Sequence, residues 1–317
     1  MFERILVPLD GSALAECVIP HAIAIAKAST SQIFLLRILD PATSSKEVSF
    51  DPLDWQIRKA EAESYLKDIL SKFEEFSLPA HVEVLEGKAA ENIIDYANDN
   101  KVDLIVLSSH GESGISGWNV SSVVQKIILR ARKSIMIIRA YQPPASTGEL
   151  VQYERVLVPL DGSQRAEIVL PFATTLAKMS DGQILVVHVI EKPEMPRRTH
   201  QSKEDMELTE KVVERNRVIA SEYLGELEER VDARVDTRIL ISDDASITLQ
   251  EYAEQNGVDL VLLSAHGYSG KPKWPYGGTV VSFIAYGTTP LLVIQDLPSD
   301  RIEETRAEVV SKEQRGR

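Results

Sequence analysis

Glu3-Arg4-Ile5-Leu6-Val7-Pro8-Leu9-Asp10-Gly11-Ser12 returns later in the chain as Glu154-Arg155-Val156-Leu157-Val158-Pro159-Leu160-Asp161-Gly162-Ser163, with one conservative change. A second string, Val102-Asp103-Leu104-Ile105-Val106-Leu107-Ser108-Ser109-His110-Gly111, returns as Val258-Asp259-Leu260-Val261-Leu262-Leu263-Ser264-Ala265-His266-Gly267. Two strings repeated in the same order make the chain a duplication. Each string is an apolar run followed by turn-forming polar residues, as in a strand that is buried on both faces and ends at a loop.

Working outward, short runs rich in Ile, Val and Leu alternate with longer segments of helical period, which is the pattern of a parallel sheet with crossover helices. Strands are expected near residues 4–9, 32–39, 80–86, 102–108 and 134–139, and helices near 12–29, 55–77, 89–100 and 120–131. The second copy repeats the order, with strands near 155–160, 183–190, 233–241, 259–264 and 290–295. Right-handed crossovers put helices on both faces, so each copy is read as a doubly wound α/β domain around a five-stranded parallel sheet. Pro20 and Pro171 fall inside the first helix of each copy, where a kink or a helix restart is expected. Domain boundaries follow at 1–140 and 153–296, with a Pro- and Ser-containing linker at 141–152. Residues 297–317 form a charged tail with few large apolar residues, expected to be disordered.

The 317 residues suit two domains of ordinary size, and 44% hydrophobic with 26% charged residues is a globular composition. A formal charge of −13 repels phosphate backbones and anionic lipid, so neither nucleic acid nor membrane is an expected partner. The single cysteine, Cys17, excludes an internal disulfide and a multi-thiolate metal site. No secretory pattern opens the chain and no apolar stretch is long enough to span a bilayer, so the expected location is cytoplasmic.

Ligands of open parallel sheets bind beyond the carboxyl ends of the strands, where strand order reverses. Asp10 and Asp161 follow the first strand of each copy. Such a carboxylate accepts a hydrogen bond from an exocyclic amine such as adenine's, or it caps the following helix; the two readings are compatible. The loop after the fourth strand, His110-Gly111-Glu112-Ser113-Gly114 onward, leads into a helix whose amides favour an anion. His110 and His266 have no nucleophile or metal partner in the sequence pattern and are read as fixing that loop rather than as bases. Neither copy has a Walker loop or the dinucleotide fingerprint, which removes P-loop hydrolases and ordinary dehydrogenases.

With these motifs both copies resemble the universal stress protein family, whose first strand ends in a similar Pro-x-Asp-x-Ser. Its ATP-binding members carry Gly-x-x-Gly, nine residues, then Gly and Ser or Thr. That pattern falls on Ser108, Gly111, Ser121 and Ser122 in the first copy, and on Ser264, Gly267, Gly277 and Gly278, with Thr279 one place late, in the second. The resemblance implies an adenine-nucleotide alpha-hydrolase-like fold and a non-enzymatic regulator binding ATP or a related adenine nucleotide, with or without magnesium. Asp10, Ile38, His110, Gly111, Ser121 and Ser122 would form the first site. Asp161, Val189, His266, Gly267, Gly277, Gly278 and Thr279 would form the second. Ile38 and Val189 would offer backbone groups to the base. Slow hydrolysis is not ruled out by the sequence. The copies would pair as an intramolecular pseudo-dimer through Ile135–Ile138 and Leu291–Ile294, and two chains could pair again; a protein partner is implied but not named. Trp118 and Trp274 would pack in the core, or an indole could cover a bound ring. Serines in place of glycine, by forbidding a positive φ or filling phosphate space, predict tighter binding in the second copy, although Pro272 and Pro275 would delay its helix. The alternative is an interaction protein with degenerate pockets that bind no nucleotide.

Overall fold

The computed structural model describes residues 1–40, 52–114, 119–141, 150–193, 202–268 and 274–297. In the first copy the elements run β1 (Arg4–Pro8), α1 (Ala13–Glu16), α2 (Ile19–Ser29), β2 (Gln32–Leu39), α3 (Pro52–Glu74), β3 (Ala80–Glu86), α4 (Ala89–Asp99), β4 (Leu104–Ser108), α5 (Ser122–Ala131) and β5 (Ser134–Ile138). The second copy repeats them as β6 (Arg155–Pro159), α6 (Gln164–Glu167), α7 (Leu170–Met179), β7 (Gln183–Glu191), α8 (Lys203–Arg230), β8 (Arg234–Ser242), α9 (Ala245–Gln255), β9 (Leu260–Ser264), α10 (Gly278–Tyr286) and β10 (Leu291–Ile294). The expected α/β architecture with parallel sheets is therefore present in both copies.

Strand order in the first copy is β3-β2-β1-β4-β5. Pairing is parallel, with Ile5 opposite Ile33 in β2 and Leu104 in β4. The second copy has β9-β6-β7-β8 in the same relation, with Val156 opposite Ile184 and Leu260. The chain first builds from β1 toward β3 and then jumps back to the other side of β1. A crevice forms beyond the ends of β1 and β4 for that reason. Central strands are buried on both faces: Ile5, Leu6 and Val7 are fully covered, each worth about 1.5–3 kcal/mol against exposure. The edge strand β3 alternates instead between partly covered and exposed residues.

The first helix of each copy is interrupted, as its proline demands. Ser12 caps α1 by accepting from the Ala15 amide, the helix stops after one turn, and α2 restarts with Pro20 in its first turn. Ser163, Ala166 and Pro171 repeat the arrangement in α6 and α7. Among the described residues two compact units emerge, one within 1–151 with 274–276 and 292–297, the other within 152–268 with 277–291. Most of the expected linker and nearly all of the expected charged tail lie outside the described residues, as does Trp118. Among the described residues no helix is long and apolar enough to cross a membrane.

Candidate functional site

At the end of β1 the Leu9 amide still donates to Leu36 of β2, after which the chain leaves the sheet. Gly11 then takes φ +85°, a left-handed conformation that turns the backbone toward α1. The turn leaves the Asp10 carboxylate between two loops. Its Oδ1 accepts from the Ser12 amide at 3.0 Å and the Ser12 hydroxyl at 2.6 Å, and its Oδ2 accepts from the Glu112 amide at 2.6 Å. Asp161 repeats the clamp, with the Ser163 amide at 3.0 Å and the Tyr268 amide at 2.5 Å. Capping the helix falls to the serines, so the carboxylates are not the caps that the sequence left open; they tie the β1–α1 turn to the loop after β4.

Gly111 is required by this clamp. A Cβ there would lie 1.9 Å from Asp10 Oδ2, and one on Gly267 would lie 2.2 Å from Asp161 Oδ2. Burial alone would raise the Asp161 carboxyl. The Ser163 hydroxyl and the Tyr268 and Ser163 amides outweigh it and hold the group below the usual carboxylate value.

The loop after β4 is closed at its base, where the Ser121 amide donates to the Ser109 carbonyl and, in the second copy, Gly277 donates to Ala265. His110 is buried, with Nδ1 3.1 Å from the Ser109 hydroxyl, which also receives the Ala140 amide. The ring is thereby held between the loop and the end of β5, in keeping with a loop-fixing residue. The Ser108 hydroxyl lies within donating distance of the carbonyls of His110, at 2.6 Å, and Leu14, at 2.9 Å, which share its one proton, and it accepts from the Cys17 thiol. Burial raises that thiol above its ordinary value, against the lowering effect of Ser108.

Two expectations about the helix beyond the loop are corrected. Ser121 and Gly277 both have extended backbones, at φ −67° and −75°, so neither position needs a left-handed glycine. The residues differ in what covers the helix end: the Ser121 hydroxyl accepts from the Val124 amide, whereas Gly277 gives no side-chain cap and nothing lies within 4 Å of a Cβ on Gly278. Helix α10 also begins at Gly278, the counterpart of Ser122 at the start of α5, so Pro275 does not delay it. Trp274 is 55% exposed and is not a core residue.

In the first copy these parts surround one cleft of about 880 Å³, and Asp10, Ile38, His110, Gly111, Ser121 and Ser122 all line it. The start of α3 supplies a wall that sequence spacing did not reveal, with Asp54, Ile57, Arg58 and Glu61. Arg37, beside Ile38 on β2, also lines the cleft; its guanidinium lies over the Tyr65 ring at 5.2 Å and would meet a Cβ on Gly11 at 2.8 Å. The only sequence signal for Arg37 was its place at the end of a strand next to Ile38. His188 stands at this position in the second copy, with Nδ1 2.8 Å from the Leu160 carbonyl. The cleft carries five acids, Asp10, Asp40, Asp54, Glu61 and Glu112, against Arg37 and Arg58. Among the described residues no group of three or more His, Cys, Asp or Glu is placed to hold a metal ion.

A model of the universal stress protein family matches residues 1–139 and 152–295. A universal stress protein of Methanocaldococcus jannaschii is 29% identical over 146 residues, covering 44% of this chain and 83% of the relative. A second from the same organism is 23% identical over 155 residues, covering 44% and 96%. Among solved structures, a universal stress protein from Archaeoglobus fulgidus aligns with TM-score 0.62 at 19% identity, covering 93% of this chain and 98% of the other. A functionally unknown protein from Pseudomonas aeruginosa aligns with TM-score 0.67 at 14% identity, covering 98% of both chains. At these identities the structural likeness is one of fold.

Proposed function

The chain belongs to the universal stress protein family, its two copies each matching the family over nearly their whole length, and from this we propose that it binds ATP or a related adenine nucleotide as a non-enzymatic regulator. The observation that carries the reading is the convergence of Asp10, Ile38, His110, Gly111, Ser121 and Ser122, chosen from sequence, on one cleft. Its volume falls within the range of small-molecule sites, about 300–1,000 Å³. Asp10 Oδ2 accepts a single bond, from the Glu112 amide, and so retains acceptor capacity, which suits a base amine. The start of α5 lines the same cleft, and a helix amino end favours an anion such as phosphate.

Magnesium fits this reading as a companion of the nucleotide. The acidic lining opposes a bare polyphosphate, and neutralising the phosphates relieves that repulsion. In the second copy the uncapped start of α10 leaves its amides open to phosphate, so that site is proposed to bind more tightly. The direct test is mass spectrometry of nucleotide released from the purified protein. Stoichiometric adenine nucleotide supports the reading, and a ligand of another class refutes it.

One observation favours the alternative of an interaction protein that binds no nucleotide. The Ser121 hydroxyl already satisfies the Val124 amide, and the Asp10 carboxylate is already clamped by Ser12 and Glu112. Protein that is free of nucleotide and shows no heat on titration with Mg-ATP would establish it.

A further inference from the structure

Helix α8 is 28 residues long, whereas its counterpart α3 has 23. Both dock through the same spacing, Ala62, Leu66 and Ile69 in α3 and Ala220, Leu224 and Leu227 at the end of α8. In that alignment Pro52 meets Glu210, so Lys203–Thr209 extends α8 beyond anything in α3. No residue from Lys203 to Ile219 is buried, a helical arm of about 25 Å at 1.5 Å per residue. Its start is a full capping box between Ser202 and Asp205. Yet Met206, Leu208, Val212, Val218 and Ile219 are 37–54% exposed. A lone helix of this length is marginal in water, and exposed apolar residues at this density mark a contact surface.

The stripe that docks the end of α8 continues onto the arm. Met206, Val213, Ala220 and Leu227 recur at heptad spacing, with Thr209, Asn216 and Tyr223 between them and Val212 and Ile219 alongside. The charges are biased along it: Glu204, Asp205, Glu207 and Glu210 outnumber Lys203 and Lys211 toward the amino end, and Arg215 and Arg217 outnumber Glu214, which pairs with Arg217, toward the docked end. An identical helix laid antiparallel sets acid against arginine twice by symmetry, whereas a parallel one sets like against like.

We propose that the α8 arm is a homodimer seam, in which a second copy of this chain lays its own arm antiparallel across it, centred on Val212 and Val213. The Met206 end of each helix then meets the Ile219 end of the other, Thr209 faces Asn216, and Glu210 comes within reach of Arg217. The proposal does not rest on nucleotide binding, although in the same alignment Val212, Asn216 and Ile219 stand where Asp54, Arg58 and Glu61 line the cleft of the first copy. So short a seam lies below about 1,200 Å² in total, which makes the dimer weak, with a dissociation constant on the order of micromolar.

Sedimentation of the full chain over a concentration series tests it. The expected result is a reversible monomer–dimer equilibrium that Val212→Glu with Ile219→Glu weakens at least roughly tenfold, at unchanged circular dichroism. Glu210→Lys weakens it as well, and adding Arg217→Glu restores it. In a Cys17→Ser background, Val213→Cys forms an interchain disulfide and Met206→Cys does not. A monomer at every concentration, a dimer indifferent to both glutamates, or equal cross-linking at 206 and 213 overturns the proposal. So does a monomer that binds anionic vesicles through the arm.

Discussion

Two glycines separate folding from binding at the residue scale. Gly111→Ala places a methyl on the Asp10 carboxylate, so the Glu112 amide or Asp10 must give way, at an expected cost of about 1–3 kcal/mol in urea unfolding. Gly278→Ala meets nothing and improves the helix, so stability should hold or rise by up to about 1 kcal/mol while Mg-ATP affinity falls. Equal destabilisation by both would show that the two glycines serve the same structural purpose. The importance of Gly111 was legible from its repetition with Asp10, but its reason was not, because the two residues meet only through tertiary folding. Burial pushes the His21 imidazole down to about 4. The folded state therefore resists a proton that the unfolded chain accepts below about pH 6.5, so stability is full above that value and falls as pH drops toward 4. His21→Gln should flatten this slope, by at most about 3 kcal/mol between pH 7 and 4.5. An unchanged slope would assign the acid sensitivity to carboxylates.

At the scale of elements, the sequence revealed strands and breaks better than walls. Central strands were readable because burial on both faces leaves continuous apolar runs, and Pro20 and Pro171 marked the helix restarts because proline fits the first turn of a helix. Pro171→Ala should accordingly cost no more than about 1 kcal/mol, through the unfolded chain, without fusing α6 to α7. A larger loss in calorimetric stability would mean that the ring itself packs. The α3 wall of the cleft was not readable, since nothing in local spacing says which face of a polar helix crosses the end of the sheet. The same holds for the α8 arm, whose stripe looks like ordinary core pattern until its neighbours are known.

The whole molecule is a duplication whose copies have diverged beyond the carboxyl ends of their strands: Arg37 against His188, a capped α5 against an uncapped α10. Duplication was plain in the repeated strings, and the fold followed from it. The proposed order of affinity between the copies rests on space in front of helix amides, a property of three dimensions. The acidic lining of the first cleft also predicts a cation requirement, so chelating magnesium should weaken ATP binding there at least roughly tenfold in calorimetry. Affinity unchanged by chelation would mean that the nucleotide's phosphates sit away from the acids.

Calorimetric titration of nucleotide-free full chain with Mg-ATP, repeated on Asp10→Ala and Asp161→Ala, tests nucleotide binding most directly. The predicted result is saturable binding that Asp161→Ala weakens by roughly ten- to hundredfold, about 1.5–3 kcal/mol, with a smaller loss from Asp10→Ala. Absence of binding in the unaltered chain, or binding indifferent to both aspartates, would contradict it.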